Sequence, residues 1–186
     1  MRWVKSPARP LSKKRSKKSL EDTSAPSRGI KLLMTLASLL SEDLIIPETV
    51  ATDRWQAIEE IINRLVEEGQ LDPSHREEAI ASLRHREETM STGIGFGIAI
   101  PHASCDAVQQ VTACFGRSKV GIDFESLDGK PVHFIVLFLV PKDQFQTHLR
   151  TLAAIAKFLN DPAVRAELGG ASDAKSILEV FSRKRS

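Results

Sequence analysis

The chain is poor in the features that usually announce a chemistry. Its 186 residues hold only two cysteines, Cys105 and Cys114, and these have neither a C-x-x-C spacing nor the look of a disulfide framework. A reducing cytoplasm is therefore the expected location. No apolar run approaches the roughly 20 residues needed to span a bilayer; Phe134 to Val140 has the length of a buried strand. Internal repeats are missing. So is a Gly-Lys-Ser/Thr phosphate loop, which removes the usual nucleoside-triphosphate fold. Cys105 beside His102 lacks the second ligand pair that a metal site needs, and the bland reading of Cys105 is a small buried hydrophobe.

What is present fits one globular unit behind a basic leader. Apolar residues make up 41% of the chain, enough for one sizeable core. Residues 1–31 carry ten lysines and arginines against Glu21 and Asp22, a net of +8, so at an overall charge of +2 the remainder carries −6. This segment is rich in Ser and Pro and almost without apolar periodicity, which predicts disorder. The expected division is a basic extension over 1–33 and a folded domain over 34–186. The extension has three readings: a solvated leader ahead of Met34, a nonspecific contact for nucleic acid or an anionic surface, or an organelle transit segment lacking early acids.

The domain alternates between helical and strand periods. Asp53 with Gln56 reads as a capping box, followed by Trp55, Ile58, Ile61, Ile62 and Leu65 on one face and Gly69 as the stop. Asp72-Pro73 opens a second helix with Ala79, Ile80 and Leu83 inward and Arg86 near its end. Four strands are expected: Gly97 to His102, Val111 to Arg117, a short one near 122–124, and Val132 to Val140, the last entered by an Asp128-Gly129 turn. A long helix over about 143–160 turns Phe145, Leu149, Leu152, Ile155 and Leu159 inward. Asp161-Pro162 starts another, Gly169-Gly170 ends it, and Ser172 caps a last one. Helices before, between and after strands predict an α/β class: a single-domain sandwich with a mixed β-sheet flanked by helices on both sides.

The most informative segment is Thr92-Gly93-Ile94-Gly95-Phe96-Gly97-Ile98-Ala99-Ile100-Pro101-His102. Its spacing is G-x-G-x-G, and Pro101 disfavours a helix immediately before it, so it is not a dinucleotide fingerprint. Alternate glycines allow backbone N–H groups to converge on an anion. The following strand delivers His102 at an edge. A neutral imidazole beside an anion cradle is a candidate nucleophile for phosphoryl transfer. On residue type alone, a hydrogen-bonded structural histidine is the favoured reading.

Arg86-Glu87, Ser91-Thr92-Gly93-Ile94-Gly95 and Gly97-Ile98-Ala99-Ile100-Pro101-His102 resemble the signature of type-2 enzyme IIA proteins. These belong to the bacterial phosphoenolpyruvate phosphotransferase system, in its fructose, mannitol and nitrogen-regulatory group. Phe124-Glu125-Ser126-Leu127-Asp128-Gly129-Lys130-Pro131-Val132, the strand through Val140-Pro141, and Thr147-His148-Leu149 with Leu152 extend the resemblance over about residues 34–183. It implies a phosphocarrier that becomes phosphorylated on His102, with His148 as a second active-site histidine and Arg86 as a guanidinium clamp. Ser91, Thr92 and the Gly93, Gly95 and Gly97 amides are further phosphate-binding candidates. The phosphoryl donor would be an HPr-like carrier, and the recipient a IIB domain or a set of regulatory targets. No metal or organic cofactor and no membrane insertion are implied. The lack of a fused IIB or IIC segment favours the nitrogen-regulatory branch over a fructose-pathway component, and nucleic-acid binding through the basic extension is the reading from another class. His75, His85 and His133 stand outside any motif and read as surface or packing residues. Two positions depart from the family pattern: Phe96 stands where many relatives have asparagine, and Ala103-Ser104 where many have Gly-Lys.

Overall fold

A computed structural model of the chain describes residue 37 and residues 39–183, giving the backbone alone at 144–148 and 150. The basic extension over 1–33 lies outside the described residues. The strands are β1 (Ile45–Ile46), β2 (Gly93–Gly95), β3 (Ile98–Ala99), β4 (His102–Cys105), β5 (Thr112–Ile122) and β6 (Val132–Pro141). The helices are α1 (Arg54–Glu67), α2 (Arg76–Thr89), α3 (Phe145–Leu159), α4 (Pro162–Gly170) and α5 (Ala174–Ser182).

The sheet is mixed, as expected, in the order β1-β5-β6-β3-β2, with β4 also on β6. β5 and β6 form its antiparallel spine, from Thr112 opposite Leu139 to Ile122 opposite Val132. The other edge of β6 is shared: β3 lies parallel beside Phe134 and Ile135, and β4 parallel beside Phe138 to Pro141. The expected single strand over 97–102 is thus two, broken at Ile100-Pro101. Proline has no N–H for the ladder, and its carbonyl instead accepts from Phe138 N at 2.9 Å. His102 consequently begins a strand and does not end one. The short strand expected near 122–124 is absorbed into the end of β5.

Helices cover both faces, and β5 shows why. Successive strand residues point to opposite sides. Gly116 faces α1, where an added Cβ would come within 3.2 Å of Ile61 Cδ1. Phe115 faces α5, its ring edge-on to Phe181 at 5.2 Å between centroids. Of the side chains that the sequence turns inward on α1 and α2, Ile58, Ile61, Ile62 and Leu65, then Ala79, Ile80 and Leu83 are buried, while Trp55 is only partly buried against the core.

Helix starts follow the expected chemistry with two changes. Asp53 accepts from the amides of Trp55 and Gln56, but Gln56 Oε1 reaches back to Thr52, not to Asp53, so only half of the box forms. Asp173, not Ser172, caps α5, and its partner in a complete capping box is Ser176. The Asp72-Pro73 start makes one turn of 3-10 helix before α2 begins at Arg76. On α3, Ile155 and Leu159 are buried, but Leu149 is 42% exposed and does not join the core; the side chain of Phe145 lies outside the described residues.

Candidate active site

His102 opens β4, whose side chains alternate between half-buried (His102, Ser104) and buried (Ala103, Cys105). The half-buried face looks onto α2. There Ser82, His85, Arg86 and Thr89 follow one another at spacings of three, one and three, and so share one helical stripe. Between stripe and strand lies an open cavity of about 530 Å³ that these six residues line. The sequence-predicted pair of Arg86 and His102 is therefore brought together at one cavity.

Each member is held by local backbone. His102 Nδ1 lies 2.8 Å from the carbonyl oxygen of Ile100. A carbonyl only accepts, so Nδ1 carries the proton and a neutral ring has its lone pair on Nε2. Burial holds the imidazole below its ordinary value of 6.5, and the charge of Arg86 adds to this, against the opposing pull of the Ile100 carbonyl and Glu87. Arg86 Nη1 donates to the carbonyl of Met90 at 2.8 Å, just past the end of α2, where orphan carbonyls attract a cation. This bond fixes the guanidinium while leaving it with further N–H donors.

The lowered value has a defined sign for pH. Only the neutral ring has a lone pair to offer an electrophile. Any reaction in which this ring is the nucleophile is expected to keep a level rate as pH falls to 6.5 and to decline only below it, as initial rates would measure. Folding stability moves with it: the unfolded ring binds a proton before the folded one does, so stability falls as pH drops below 6.5.

Glu87, to which the sequence assigns no separate role, is the buried support of this site. Only 2% exposed, it accepts from Thr92 N at 3.0 and 3.1 Å and from Thr92 Oγ1 at 2.6 Å. The bonds tie the end of α2 to the entry of β2, and Thr92 O in turn accepts from Ile100 N. Ser91 Oγ donates to the Phe124 carbonyl and accepts from Gly93 N. The predicted hydroxyls of Ser91 and Thr92 thus brace the loop.

The glycines are placed differently from the expectation. Gly95 and Gly97, with φ of +93° and +77°, form the tip of the β2–β3 hairpin. Along β6, Ile98 pairs with Phe134 and His102 with Phe138, four residues or about 13 Å at about 3.3 Å each. The tip therefore lies past the end of β3 that is farther from His102. Its Phe96 N–H donates to the Asp128 carboxylate at 2.9 Å, and Gly93 is packed so closely against Ser126 that an added Cβ would meet its Cα at 2.9 Å. The glycines serve hairpin and close packing, and the amides of Thr92, Gly93 and Phe96 already have protein partners. Phe96 itself is an aromatic residue at φ +56° and 61% exposed, a conformation costly for a bulky side chain and better tolerated by asparagine or glycine. Its ring stacks on the Arg165 guanidinium at 5.5 Å.

His148 lies in the first turn of α3 by its backbone, and its side chain is outside the described residues. His75 contacts Glu78 and His133 donates to the Ser118 carbonyl, as packing or surface residues do. His85 is the exception, since it lines the cavity. No group of three or more metal-ligating side chains occurs among the described residues, and none of their helices is long and apolar enough to cross a membrane.

Residues 38–184 match the family model for the phosphoenolpyruvate-dependent sugar phosphotransferase system, EIIA 2. The chain belongs to this type-2 EIIA family. Its members are phosphocarriers of the phosphotransferase system, and the matched span agrees with the 34–183 of the sequence resemblance. The fructose-specific EIIA component of Haloferax volcanii is 35% identical over 147 residues, which is 79% of this chain and 94% of the relative. The nitrogen regulatory protein of Bradyrhizobium diazoefficiens is 31% identical over 149 residues, or 80% and 95%. Among solved structures, the nitrogen regulatory protein IIA-Ntr of Neisseria meningitidis superposes with a TM-score of 0.72 at 28% identity, covering 80% of this chain and 99% of that one.

Proposed function

We propose that this EIIA protein accepts a phosphoryl group on Nε2 of His102 from the phosphohistidine of an HPr-like carrier, and that it serves the nitrogen-regulatory branch. The observation that carries the reading is the Nδ1–H to Ile100 carbonyl bond, which puts the lone pair of the neutral ring on Nε2, the form that burial favours. In the transfer, that pair forms the new N–P bond while the donor's N–P bond breaks and its electrons return to the donor imidazole. Such transition states are loose, so positioning and charge stabilisation dominate. Arg86 supplies the charge as a planar fork suited to two phosphoryl oxygens, and His148, from the family resemblance, a further N–H. The product phosphoramidate passes its group to a IIB domain or changes which regulatory proteins bind, since nearly two negative charges are added at one surface cavity.

Arg86→Lys tests the clamp. The ammonium cannot present two parallel donors, and the variant is expected to lose about 2 kcal/mol of transition-state stabilisation, about 30-fold in transfer rate. Single-turnover transfer from a phosphorylated HPr-like donor measures it, and an unchanged rate contradicts the role.

The regulatory branch is supported by the likeness to IIA-Ntr and the Bradyrhizobium nitrogen regulatory protein. The fructose pathway has its own support in the Haloferax relative. Deletion decides between them: normal growth on fructose with altered nitrogen-source responses fits the regulator, while specific loss of growth on fructose fits the uptake component.

A further inference from the structure

The α2 stripe brings to the cavity one residue that the family signature does not contain. His85 immediately precedes Arg86, lines the same cavity as His102 and Ser104, and is exposed. Its two neighbours on the helix are held differently. Arg84 is paired with Glu59 at 2.6 Å and stacked on Trp55 at 5.2 Å, and Arg86 has given one N–H to Met90. The bond recorded at His85 is made by its backbone carbonyl, to Thr89 Oγ1, and its ring has no hydrogen-bond partner among the described residues. The cavity, at about 530 Å³, has room for a phosphoryl group between the α2 stripe and β4.

We infer that His85 is a phosphate-contacting residue of the phosphorylated state, donating a ring N–H to a phosphoryl oxygen carried on His102. This rests on the reading of His102 as the phosphoryl acceptor. The chemistry is that of a charged oxyanion which takes several donors at once. One donor edge comes from Arg86, and the imidazole one residue away, turned about 100° round the helix but lining the same cavity, adds a second from a different side. Hydrogen bonds to ionised oxygens are roughly twice as strong as neutral ones, so the contact shifts the transfer equilibrium toward the phosphorylated chain. Ser104 sits two residues along β4 from His102, on the same half-buried face of the strand.

The test compares the full chain with His85→Ala and His85→Gln after phosphorylation through phosphoenolpyruvate, enzyme I and HPr. Two quantities are read: the equilibrium constant for transfer from phosphorylated HPr, and the phosphorus NMR signal of the phosphohistidine. The alanine variant is expected to lose about fivefold in the equilibrium constant and to shift the phosphorus resonance. The glutamine variant, which keeps an N–H donor, is expected to recover most of both. Because His85 is exposed, the unphosphorylated variants should unfold at the wild-type temperature. An alanine variant with wild-type equilibrium and phosphorus signal overturns the contact, as does a glutamine variant no better than alanine. Wild-type chain that takes up no phosphoryl group overturns the underlying reading of His102, and the contact with it.

Discussion

Arg117→Ala is expected to cost about 3–5 kcal/mol of unfolding free energy, although the residue touches nothing at the candidate site. Arg117 is 2% exposed in the middle of β5. Its Nε donates to the Pro47 carbonyl at 2.8 Å, and Nη1 donates to the carbonyls of Leu168 and Ala171 at 2.7 Å each. The last two lie at the C-terminal end of α4, the negative end of the helix dipole, where a cation is favourable. One side chain therefore ties the segment after β1, the sheet and α4 together. Truncation leaves three inward-facing carbonyls without a donor, each worth about 1 kcal/mol or more when unsatisfied, and opens a cavity as well. Arg117→Lys keeps the charge but cannot reach three acceptors, so about half of the loss is expected. Urea unfolding followed by circular dichroism measures both, and a loss below about 1 kcal/mol for the alanine variant would show that the carbonyls find other partners.

Much of this fold is legible in the chain because its signals are local. The Asp53, Asp161 and Gly69 boundaries are set by groups within four residues of one another, and the inward stripes of α1 and α2 are read from period alone. The motif likewise brings Arg86 and His102 to one cavity. The alternate glycines are harder, because φ > 0 and the lack of a Cβ serve an anion cradle and a tight hairpin equally well. What decides for the hairpin is the Asp128 carboxylate on Phe96 N–H and the Ser126 backbone against Gly93, partners some 30 residues away. Glu87 reads as one more acid in a charged run; only its bonds to Thr92 make it a buried anchor. Arg117 offers a faint signal, an arginine in an apolar strand, but its three acceptors come from 51 to 70 residues away. Leu149 fits the helical period of α3 yet stays exposed, since periodicity says which residues share a face and not whether that part of the face is covered.

His102→Ala is expected to have the largest effect on activity, as the proposed phosphoryl acceptor. A phosphocarrier has no chemistry without its acceptor nitrogen, and no nearby group replaces it: His85 is on a helix across the cavity, without the carbonyl that fixes the tautomer of His102, and Cys105 points into the core on the other face of β4. Loss of phosphoryl uptake is expected to be complete, with little loss of stability because the ring is only half-buried. His148→Ala, by contrast, is expected to slow uptake without abolishing it, since that residue is proposed to assist a transfer whose bond forms at His102.

Intact-mass analysis after incubation with phosphoenolpyruvate, enzyme I and an HPr-like carrier tests this account most directly, with wild type, His102→Ala and His148→Ala side by side. The account predicts one acid-labile phosphoryl group on wild type and on the His148 variant, and none on the His102 variant. A labelled His102 variant, or wild type that stays unlabelled with both sugar-branch and nitrogen-branch donors, would contradict it.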